Sequence, residues 1–598
     1  MKSMLVSRSD LDFLLYDWLR IDELTKRDRF AEHSRETFDA VLELCEQLAT
    51  RYFANHNKKS DANEPTFDGH RVTVIPEVKE ALDAVAQADI IAMTMDQRLG
   101  GAQLPATVAQ AAFAWFAAAN VSTAGYLMLT MANANLLATF GTDEQIETFV
   151  QPMLAGRFSG TMALSETQAG SSLADITTRA EPQSDGSYRL FGSKMWISGA
   201  EHEMTDNIVN LVLAKIPGGP PGTKGISLFI VPKYLLDADG SIGERNDVAL
   251  AGLNHKMGQR GITNTVLNVG DGTFTPGGTP GAVGYLVGEQ HRGIAYMFTM
   301  MNEARLGVGM GAVALGYTGY LKSVEYARQR PQGRPVTSKD PAAPQIPIIE
   351  HADVKRMLLA QKAYVEGGMA LLLYCAKLVD LQHSAESDQE REQSTMLLDI
   401  LTPVAKSWPS QWCLEANNLA IQVHGGYGYS REYDVEQHYR DNRLNPIHEG
   451  THGIQSLDLL GRKVVARNGA NLAALGEAVS VTVSAGHSLG GEPAEMAAQL
   501  GSAWNRLAAV TASMFSSGDV DAALANSVVY LEAFGHIVVA WIWLELTLAA
   551  HGQTGDFHDG KRQAARFFYR HELPKTAPQL DLLESLDRTA LEMRDSWF

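Results

Sequence analysis

Cysteine is scarce in this sequence, with three residues in 598, at Cys45, Cys375 and Cys413. So few thiols in so long a chain cannot form a disulfide framework. They lie among apolar residues without CxxC spacing, so we expect buried, reduced side chains. His/Cys spacing of the zinc type is also missing from the sequence, and no metal site is predicted.

Basic residues are also in deficit, since 50 Lys and Arg stand against 69 Asp and Glu and give a formal net charge of −19. Such a field repels nucleic acid and anionic membrane surfaces, so we expect neither as a partner. The N-terminus has no apolar run followed by a small-residue cleavage site. The longest apolar stretch, Ile537 to Ala550, is interrupted by Glu545 and is too short to span a bilayer. We therefore expect a cytoplasmic protein without an integral membrane segment.

The length of 598 residues exceeds the size at which one hydrophobic core keeps growing, and predicts about three or four domains. Apolar residues at helical spacing predict an α-helical domain over 1–157. Short β-rich runs separated by Gly, Pro, Asn and Asp predict a β domain over 158–285. Helical patterning returns over 286–466, and a further helical block over 467–598 carries no cluster of chemically suggestive residues. The predicted fold class is therefore α+β.

One carboxylate has an unusual position, in HEGTHGIQSLDLLGRK (His448 to Lys463). Glu449 lies on a loop directly before a helix for which Thr451 is a good N-cap. The apolar face of that helix is predicted from Ile454, Leu457, Leu459 and Leu460. Gly450 lets the backbone approach a ligand, and a carboxylate held there suits a general base. This window alone equally allows a carboxylate that merely favours the positive end of the helix dipole.

Two upstream segments present groups suited to a flat polar ligand. ALSETQAGSSLADI (Ala163 to Ile176) predicts a strand followed by a tight loop that offers hydroxyls and backbone N–H groups. KMWISGAE (Lys194 to Glu201) places Trp196 beside Ser198 on a strand, where an aromatic platform suits stacking on a cofactor. A Ser-rich surface turn and a buried core Trp are the plain alternatives for the two segments.

A Gly-rich segment, QVHGGYGYSREYDVEQHYRD, begins at Gln422. Its spacing is not GxGxxG and its flanks are helical, so a Rossmann interpretation fails. A Gly-rich turn between two helices could still admit a phosphate or an adenine by close backbone approach. The sequence also lacks a GxSxG nucleophile elbow.

Taken together, these segments resemble the acyl-CoA dehydrogenase family over about residues 1–465. ALSETQAGSS is similar to the family's first signature, QVHGGYGYSREYDVEQHYRD to its second, and HEGTHGIQ to its catalytic-base segment. The DLDFLLYDWL start, the insertion ending PIIEHADVKRMLL and the C-terminal block resemble the large bacterial subgroup, which includes long-chain acyl-CoA and 3-methylmercaptopropionyl-CoA dehydrogenases. The resemblance implies an N-terminal α-helical domain, a middle β-barrel-like domain, a C-terminal four-helix bundle and an extra C-terminal helical domain.

The resemblance also implies the chemistry and the residues that carry it. Glu449 removes the α-proton of an acyl-CoA thioester while the β-hydride passes to N5 of FAD, and electron-transfer flavoprotein then accepts the electrons. The residues implied at the flavin are Leu164, Ser165, Trp196, Ser198 and Thr451. Those implied at the pyrophosphate and adenosine of the neighbouring subunit's FAD, which requires at least a dimer, are Arg330, Gln422, Gly425 and Gly426. Those implied at the substrate are Ser171, Arg305 and Gly450.

Three positions depart from the family pattern. Ser172 stands where the first signature has Asp, and Asp175 follows three residues later. Gln437 stands where the second signature has a basic residue, and RPQGR (Arg330 to Arg334) lacks the aromatic residue before its glycine. The contacts that those family residues make are therefore not carried over to this chain.

The function that the resemblance implies is dehydrogenation of an acyl-CoA to trans-2-enoyl-CoA in fatty-acid β-oxidation, with a medium- to long-chain substrate. A 3-methylmercaptopropionyl-CoA or other short or branched substrate is one alternative, and a flavin oxidase on the same scaffold is another. A relative that binds duplex DNA would need a basic face, which the charge balance opposes. Residues 467–598 either form an interaction module or cover a surface that smaller relatives use to form tetramers. We expect the latter, with a homodimer.

Overall fold

A computed structural model describes residues 3–598, with the side chains of 299–302 left out. The chain divides into two compact units. The first comprises Met1–Phe38, Pro105–Ala114 and Val308–Phe598, and the second comprises Asp39–Leu104 and Trp115–Gly307. The three cysteines are buried and free, as predicted.

The strands all belong to the second unit. In the described residues they are β1 Thr66–Phe67, β2 Val72–Thr73, β3 Phe158–Ala163, β4 Arg179–Pro182, β5 Tyr188–Ser198, β6 Asn207–Lys215, β7 Ile226–Pro232, β8 Tyr234–Leu236, β9 Ile242–Arg245, β10 Val248–Leu253, β11 Asn264–Val269 and β12 Ala282–Leu286. β1 with β2 and β8 with β9 form separate two-stranded ribbons, and the remaining eight strands share one sheet.

Five strands of that sheet close into a ring. β5 pairs with β12, β12 with β7, β7 with β6, β6 with β4, and β4 returns to β5. β11 and β10 extend the sheet beyond β5, and β3 extends it beyond β6 in parallel pairing. Inward side chains such as Leu190, Val212 and Phe229 form its core. This closure confirms the predicted β-barrel-like middle domain.

β12 is a strand that the sequence does not predict. It follows GTFTPGGTPGA, a segment so rich in Gly and Pro that the sequence predicts a loop leaving the β domain. The chain instead pairs directly afterwards with both β5 and β7. Periodicity does not identify β12 because its run AVGYL is short and its first three residues are buried. The β-rich runs SGTMALSE, SYRLFGSKMWIS, NIVNLVLAKI, GISLFIVPK and NTVLNVGD are each bounded by turn residues, which predicts strands, and each contains one.

The helices are longest in the first unit and around its boundaries. In chain order the α-helices are α1 Arg8–Asp12, α2 Arg35–Leu48, α3 Asn57–Ala62, α4 Pro76–Gln87, α5 Ala106–Phe140, α6 Asp143–Gln145, α7 Gln151–Leu154, α8 Gly293–Gln329, α9 Ala352–His383, α10 Asp388–His424, α11 Val435–Asn442, α12 His452–Asp458, α13 Ala470–Leu489, α14 Gly491–Ser516, α15 Val520–Ala525, α16 Ser527–Ala549, α17 Asp556–Phe567, α18 Thr576–Glu584 and α19 Thr589–Glu592.

Two helices, Ala106–Phe140 and Ser527–Ala549, are long and apolar enough to cross a membrane. Their apolar windows are 72% and 83% buried inside the protein, so both are core helices. α5 is broken at Asn120, whose φ of −164° and ψ of 94° are not helical. The Asn120 side chain accepts the N–H of Thr123 and so caps the second segment. The run TVAQAAFAWFAAANVSTAGYLMLTMANANLLATF, whose apolar pattern predicts two helices, therefore forms two helical segments.

The helical bundle of the first unit is centred on α9 and α10, which pack along their lengths. Gly309 of α8 faces the carbonyl of Ala405 on α10 so closely that a Cβ atom would collide with it. A close contact between the two helices therefore explains this glycine. The C-terminal block is helical as predicted, and its buried α16 packs against α12, α13, α14 and α18.

A buried cluster of charges joins the two ends of the chain within the first unit. Lys561 of α17 pairs with Asp10 of α1 and, at 2.9 Å, with Glu366 of α9. Lys362 also pairs with Glu366, and the hydroxyl of Tyr317 donates to Asp10 at 2.7 Å. Because these carboxylates lie in the core, their charges depend on the buried ammonium groups.

Candidate active site

Leu164 and Ser165 follow β3 and are fixed to β5 by two hydrogen bonds. The ammonium of Lys194 donates to the carbonyl of Leu164 at 3.0 Å. The N–H of Met195 donates to the carbonyl of Ser165, also at 3.0 Å. These bonds bring Leu164 and Ser165 beside the end of β5, where Trp196 and Ser198 lie.

Glu166 stabilises the same loop through its buried side chain. The sequence does not predict this role. Its buried carboxylate accepts from Lys194 at 3.0 Å and from the backbone and hydroxyl groups of Thr177 and Thr178. Burial raises the pKa of Glu166, but the Lys194 ammonium and these donors outweigh it and hold the pKa at about 2. Burial lowers the pKa of Lys194 to about 8, against the opposing effect of Glu166. The pair is therefore ionised at neutral pH.

Trp196 occupies a β-bulge in β5. Thr265 pairs with Ile197 and Val266 pairs with Met195, so Trp196 is the extra residue between them. Its φ is +66°, in the left-handed region that a tryptophan rarely adopts. The side chain is 58% exposed, so the interpretation as a buried core Trp is wrong. Ser198, two residues on, accepts a hydrogen bond from the Asn264 amide at 3.1 Å.

The first-signature loop beyond Glu166 is exposed at its serines, although Ala169 is buried. Ser171 and Ser172 both face solvent. The Ser172 hydroxyl donates to the carboxylate of Asp175, which therefore folds back onto the position where the family has Asp. Arg305 lies on a different element, α8, where it is buried with its guanidinium 5.9 Å from the centre of the Phe298 ring.

Glu449 and Gly450 lie in the first unit and are consecutive left-handed residues, with φ of +52° and +92°. Thr451 then starts α12 as its N-cap, because its hydroxyl accepts the N–H of Ile454 at 3.3 Å. This confirms the predicted cap.

The predicted apolar face of α12 is wrong in one residue. Leu457 is 43% exposed, whereas Leu459 and Leu460 are buried. α12 instead buries the polar residues Gln455, Ser456 and Asp458, and a π-helical turn over Leu459–Lys463 then shifts the buried face. The polar face is used to hold the Glu449 segment, since Gln455 donates to the carbonyl of Glu449 at 3.0 Å.

Two imidazoles flank Glu449. Burial lowers the pKa of His448 to about 3, and the nearby Lys406 ammonium acts in the same direction. Burial likewise lowers the pKa of His452 to about 4, with Lys406 and Arg443 adding to the effect. The hydroxyl of Ser407 lies 2.5 Å from Nδ1 of His452. Both rings are therefore neutral at neutral pH and provide no counter-charge for Glu449.

The second-signature residues form a separate cavity in the first unit. Arg330, Gln422, Gly425 and Gly426 all line it, and its volume is about 760 Å³. A Cβ atom at Gly425 or Gly426 would meet nothing within 4 Å, and Gly425 has a φ of +62°. The guanidinium of Arg330 lies 5.4 Å from the centre of the Tyr427 ring. An arginine, an aromatic ring and an open glycine backbone fit a phosphate-bearing aromatic group such as the adenosine diphosphate part of FAD.

Comparison with known families gives matches along nearly the whole chain. Residues 36–157 match "Acyl-CoA dehydrogenase, N-terminal domain", and residues 161–268 match the middle domain of that family. Residues 291–464 match its C-terminal domain, and residues 473–594 match "Acetyl-CoA dehydrogenase C-terminal like".

Two curated relatives are similar over most of their length. The 3-methylmercaptopropionyl-CoA dehydrogenase of Ruegeria pomeroyi is 34% identical over 88% of this chain and 87% of its own. The broad-specificity linear acyl-CoA dehydrogenase FadE5 of Mycobacterium tuberculosis is 33% identical over 98% of both chains. Among solved structures, Caenorhabditis elegans ACDH-11 in complex with C11-CoA shares the fold with a TM-score of 0.74 at 18% identity, covering 94% of this chain and 90% of that chain.

Proposed function

This chain belongs to the acyl-CoA dehydrogenase family of FAD-dependent oxidoreductases, and from that premise we propose that it oxidises a saturated acyl-CoA to trans-2-enoyl-CoA with Glu449 as the general base. Glu449 takes the α-proton of the thioester. FAD supplies, when bound, the acceptor at N5 for the β-hydride.

The backbone conformation of Glu449 is the observation that carries this proposal. A left-handed φ costs a non-glycine residue about 1–2 kcal/mol, and such strain collects at functional sites. A carboxylate that served only the dipole of α12 could adopt an unstrained conformation. Trp196, which we assign to the flavin, carries the same kind of strain.

The chemistry needs more than a carboxylate, because a thioester α-proton is very weakly acidic. Hydrogen-bond donors at the thioester oxygen must stabilise the developing enolate, and we assign the backbone N–H of Glu449 to this role. Gly450, Ser171 and Arg305 are proposed to contact the acyl-CoA. The left-handed turn at Gly450 lets the chain pass the substrate without a side chain.

The cofactor assignments rest on how well the side chains fit FAD. The residues proposed at the flavin are Leu164, Ser165, Trp196, Ser198 and Thr451, and the exposed indole of Trp196 supports stacking on a flat ring. Those proposed at the adenosine and pyrophosphate of the neighbouring subunit's FAD are Arg330, Gln422, Gly425 and Gly426, supported by the cavity that they line. Because this FAD site is shared between subunits, the proposal includes a homodimer. It also includes electron-transfer flavoprotein as the electron acceptor and a cytoplasmic location. The domain boundaries at 157, 285 and 466 stay predictions.

We propose a linear medium- to long-chain acyl group as the substrate. The relative that covers 98% of both chains is named for broad specificity toward linear acyl-CoA, which supports this choice. A 3-methylmercaptopropionyl group is the second candidate, favoured by the 34% identical relative named for that substrate.

The test is anaerobic bleaching of the flavin by a ladder of saturated acyl-CoAs that includes methylthio and branched members. Glu449→Gln should retain FAD and slow flavin reduction by at least about 1,000-fold, because a positioned general base contributes on that order. Stopped-flow absorbance measures the rate.

The matched control is Glu392→Gln, which makes the same change at a side chain that is 64% exposed and should leave the rate unchanged. A Glu449→Gln variant that bleaches at the wild-type rate would exclude Glu449 as the base. Rapid peroxide formation by the reduced wild-type enzyme in air would favour an oxidase instead.

A further inference from the structure

We propose that Lys406 is a positioning residue that holds the Glu449 segment in its reactive conformation. This inference rests on the proposed function of Glu449, and extends it to a residue on another helix. Lys406 lies on α10 and has no exposed side-chain surface. Its ammonium donates at 2.7 Å to the carbonyl of Asn445 and at 2.7 Å to the carbonyl of Gly450.

The two carbonyls lie at opposite ends of the segment that carries Glu449. A single buried ammonium therefore fixes the distance between the two ends and limits the conformations of the four residues between them. Hydrogen bonds from a charged donor are about twice as strong as those between neutral groups. Lys406 can therefore hold the backbone path of the segment at both of its ends.

The first end of the segment is anchored by a chain of buried amides. Asn445 donates to the side-chain oxygen of Asn442 at 2.9 Å, and Asn442 donates to that of Asn417 at 2.7 Å. Asn417 donates in turn to the carbonyl of Leu315 on α8 at 2.9 Å. The carbonyl that Asn445 offers to Lys406 is therefore fixed relative to the helical bundle.

The second end contains the strain that the clamp must hold. Glu449 and Gly450 are both left-handed, and at neutral pH the imidazoles of His448 and His452 are neutral. Glu449 lies outside the regular part of α12, which begins at His452. With Lys406 removed, Gln455 still donates to the Glu449 carbonyl, but the carbonyl of Gly450 loses its charged partner.

The first test measures the segment without any substrate. Amide hydrogen exchange of the FAD-loaded enzyme, followed by mass spectrometry, should rise about tenfold or more over residues 444–455 in Lys406→Met. Lys406→Gln, which keeps one neutral donor and the polarity of the site, should show a smaller rise and serves if the Met variant does not fold.

The control is Lys377→Met. Lys377 lies on α9 and also donates to a backbone carbonyl, that of Leu19 at 2.6 Å, so the same chemical change is made away from the Glu449 segment. Exchange over 444–455 should stay at the wild-type level in this variant. Equal exchange in the Lys406 variants and the wild type would overturn the clamp.

The second test asks whether the clamp serves the base. With octanoyl-CoA, Lys406→Met should lower the rate constant of flavin reduction by about tenfold or more, because misplacing a reacting group by 1 Å has effects of that order. The Kd for octanoyl-CoA should not change, and the isotope effect with octanoyl-CoA deuterated at the α-carbon should rise above the wild-type value. A slower variant with a wild-type isotope effect would overturn the positioning role. If no acyl-CoA reduces the wild-type flavin, the proposed function fails, and the exchange experiment still decides the clamp.

Discussion

At the scale of single residues, the candidate site contains two residues with a strained backbone. Trp196 and Glu449 are non-glycine residues with positive φ, and Trp196 is exposed although the next residue of its strand, Ile197, is buried. Neighbouring contacts must stabilise each of them. Lys194 and Glu166 do so on the β5 side, and Lys406 and Gln455 do so at Glu449.

The Lys194–Glu166 pair predicts a stability effect that depends on pH. Lys194→Met leaves the Glu166 carboxylate buried without its ammonium, which should cost about 3–5 kcal/mol at pH 7. Wild-type Glu166 has a depressed pKa of about 2, so its stabilising effect is present above the unfolded-state value and is lost as the pH falls through about 2. In Lys194→Met, burial raises the pKa of Glu166 without an opposing ammonium, so this carboxyl is protonated at a higher pH than in the wild type.

The difference in thermal unfolding midpoint between wild type and Lys194→Met should therefore narrow from pH 7 to pH 4. Differential scanning fluorimetry at several pH values measures it. The double variant Lys194→Met with Glu166→Gln removes the buried charge as well and should recover part of the loss at pH 7. A difference that stays constant with pH would show that Glu166 is not the group responsible.

At the scale of elements, the start of α5 depends on a carboxylate from another helix. Asp380, near the end of α9, accepts the N–H of Ala106 at 2.6 Å and that of Thr107 at 3.0 Å. These are two of the first N–H groups of α5, which have no partner inside their own helix. The cap comes from 273 residues away in sequence, so no local signature announces it.

Removing this cap should destabilise the first unit. Asp380→Ala is expected to cost about 1–2 kcal/mol, because the two buried N–H groups lose their acceptor. Urea unfolding followed by circular dichroism measures the change. Asp388→Ala removes a fully exposed carboxylate and should have an effect below about 0.5 kcal/mol. Equal effects of the two substitutions would contradict the capping role.

Features that local sequence patterns determine could be predicted, whereas features that depend on long-range contacts could not. The helical blocks, the strands β3, β5, β6, β7 and β11, and the cap at Thr451 follow from periodicity, composition and capping, and all are confirmed. β12 was missed because a short buried run looks the same in several structures. Lys406 and Glu166 were missed because their partners lie far away in sequence. The two carbonyls that Lys406 contacts are 39 and 44 residues from it, and Lys194 is 28 residues from Glu166. Leu457 was assigned to the wrong face because α12 buries polar side chains. The site residues were proposed from the resemblance to a family, because composition does not single them out, and they stay predictions.

At the scale of the whole molecule, the C-terminal block is part of the first unit and not a detachable addition. It supplies Lys561 to a cluster whose carboxylates come from α1 and α9. Its buried α16 packs directly against α12, the helix that follows Glu449. The packing of residues 467–598 therefore supports the bundle that carries the proposed base.

Lys561→Met should lower the free energy of unfolding by about 3–5 kcal/mol, because Asp10 and Glu366 would share the core without this ammonium. Thermal unfolding by calorimetry measures the loss. Lys79→Met breaks an exposed pair with Asp83 and should cost less than about 1 kcal/mol. If both variants lost the same small free energy of unfolding, the buried cluster would not be stabilising the first unit.

The same cluster has a consequence for how the protein is made. Asp10 emerges from the ribosome 551 residues before Lys561. At about 5–20 residues per second, that interval is roughly 30–110 s. During this time Asp10 lacks the Lys561 ammonium with which it pairs in the folded protein. The ion pair between α1 and α17 can therefore form only after most of the first unit has been synthesised.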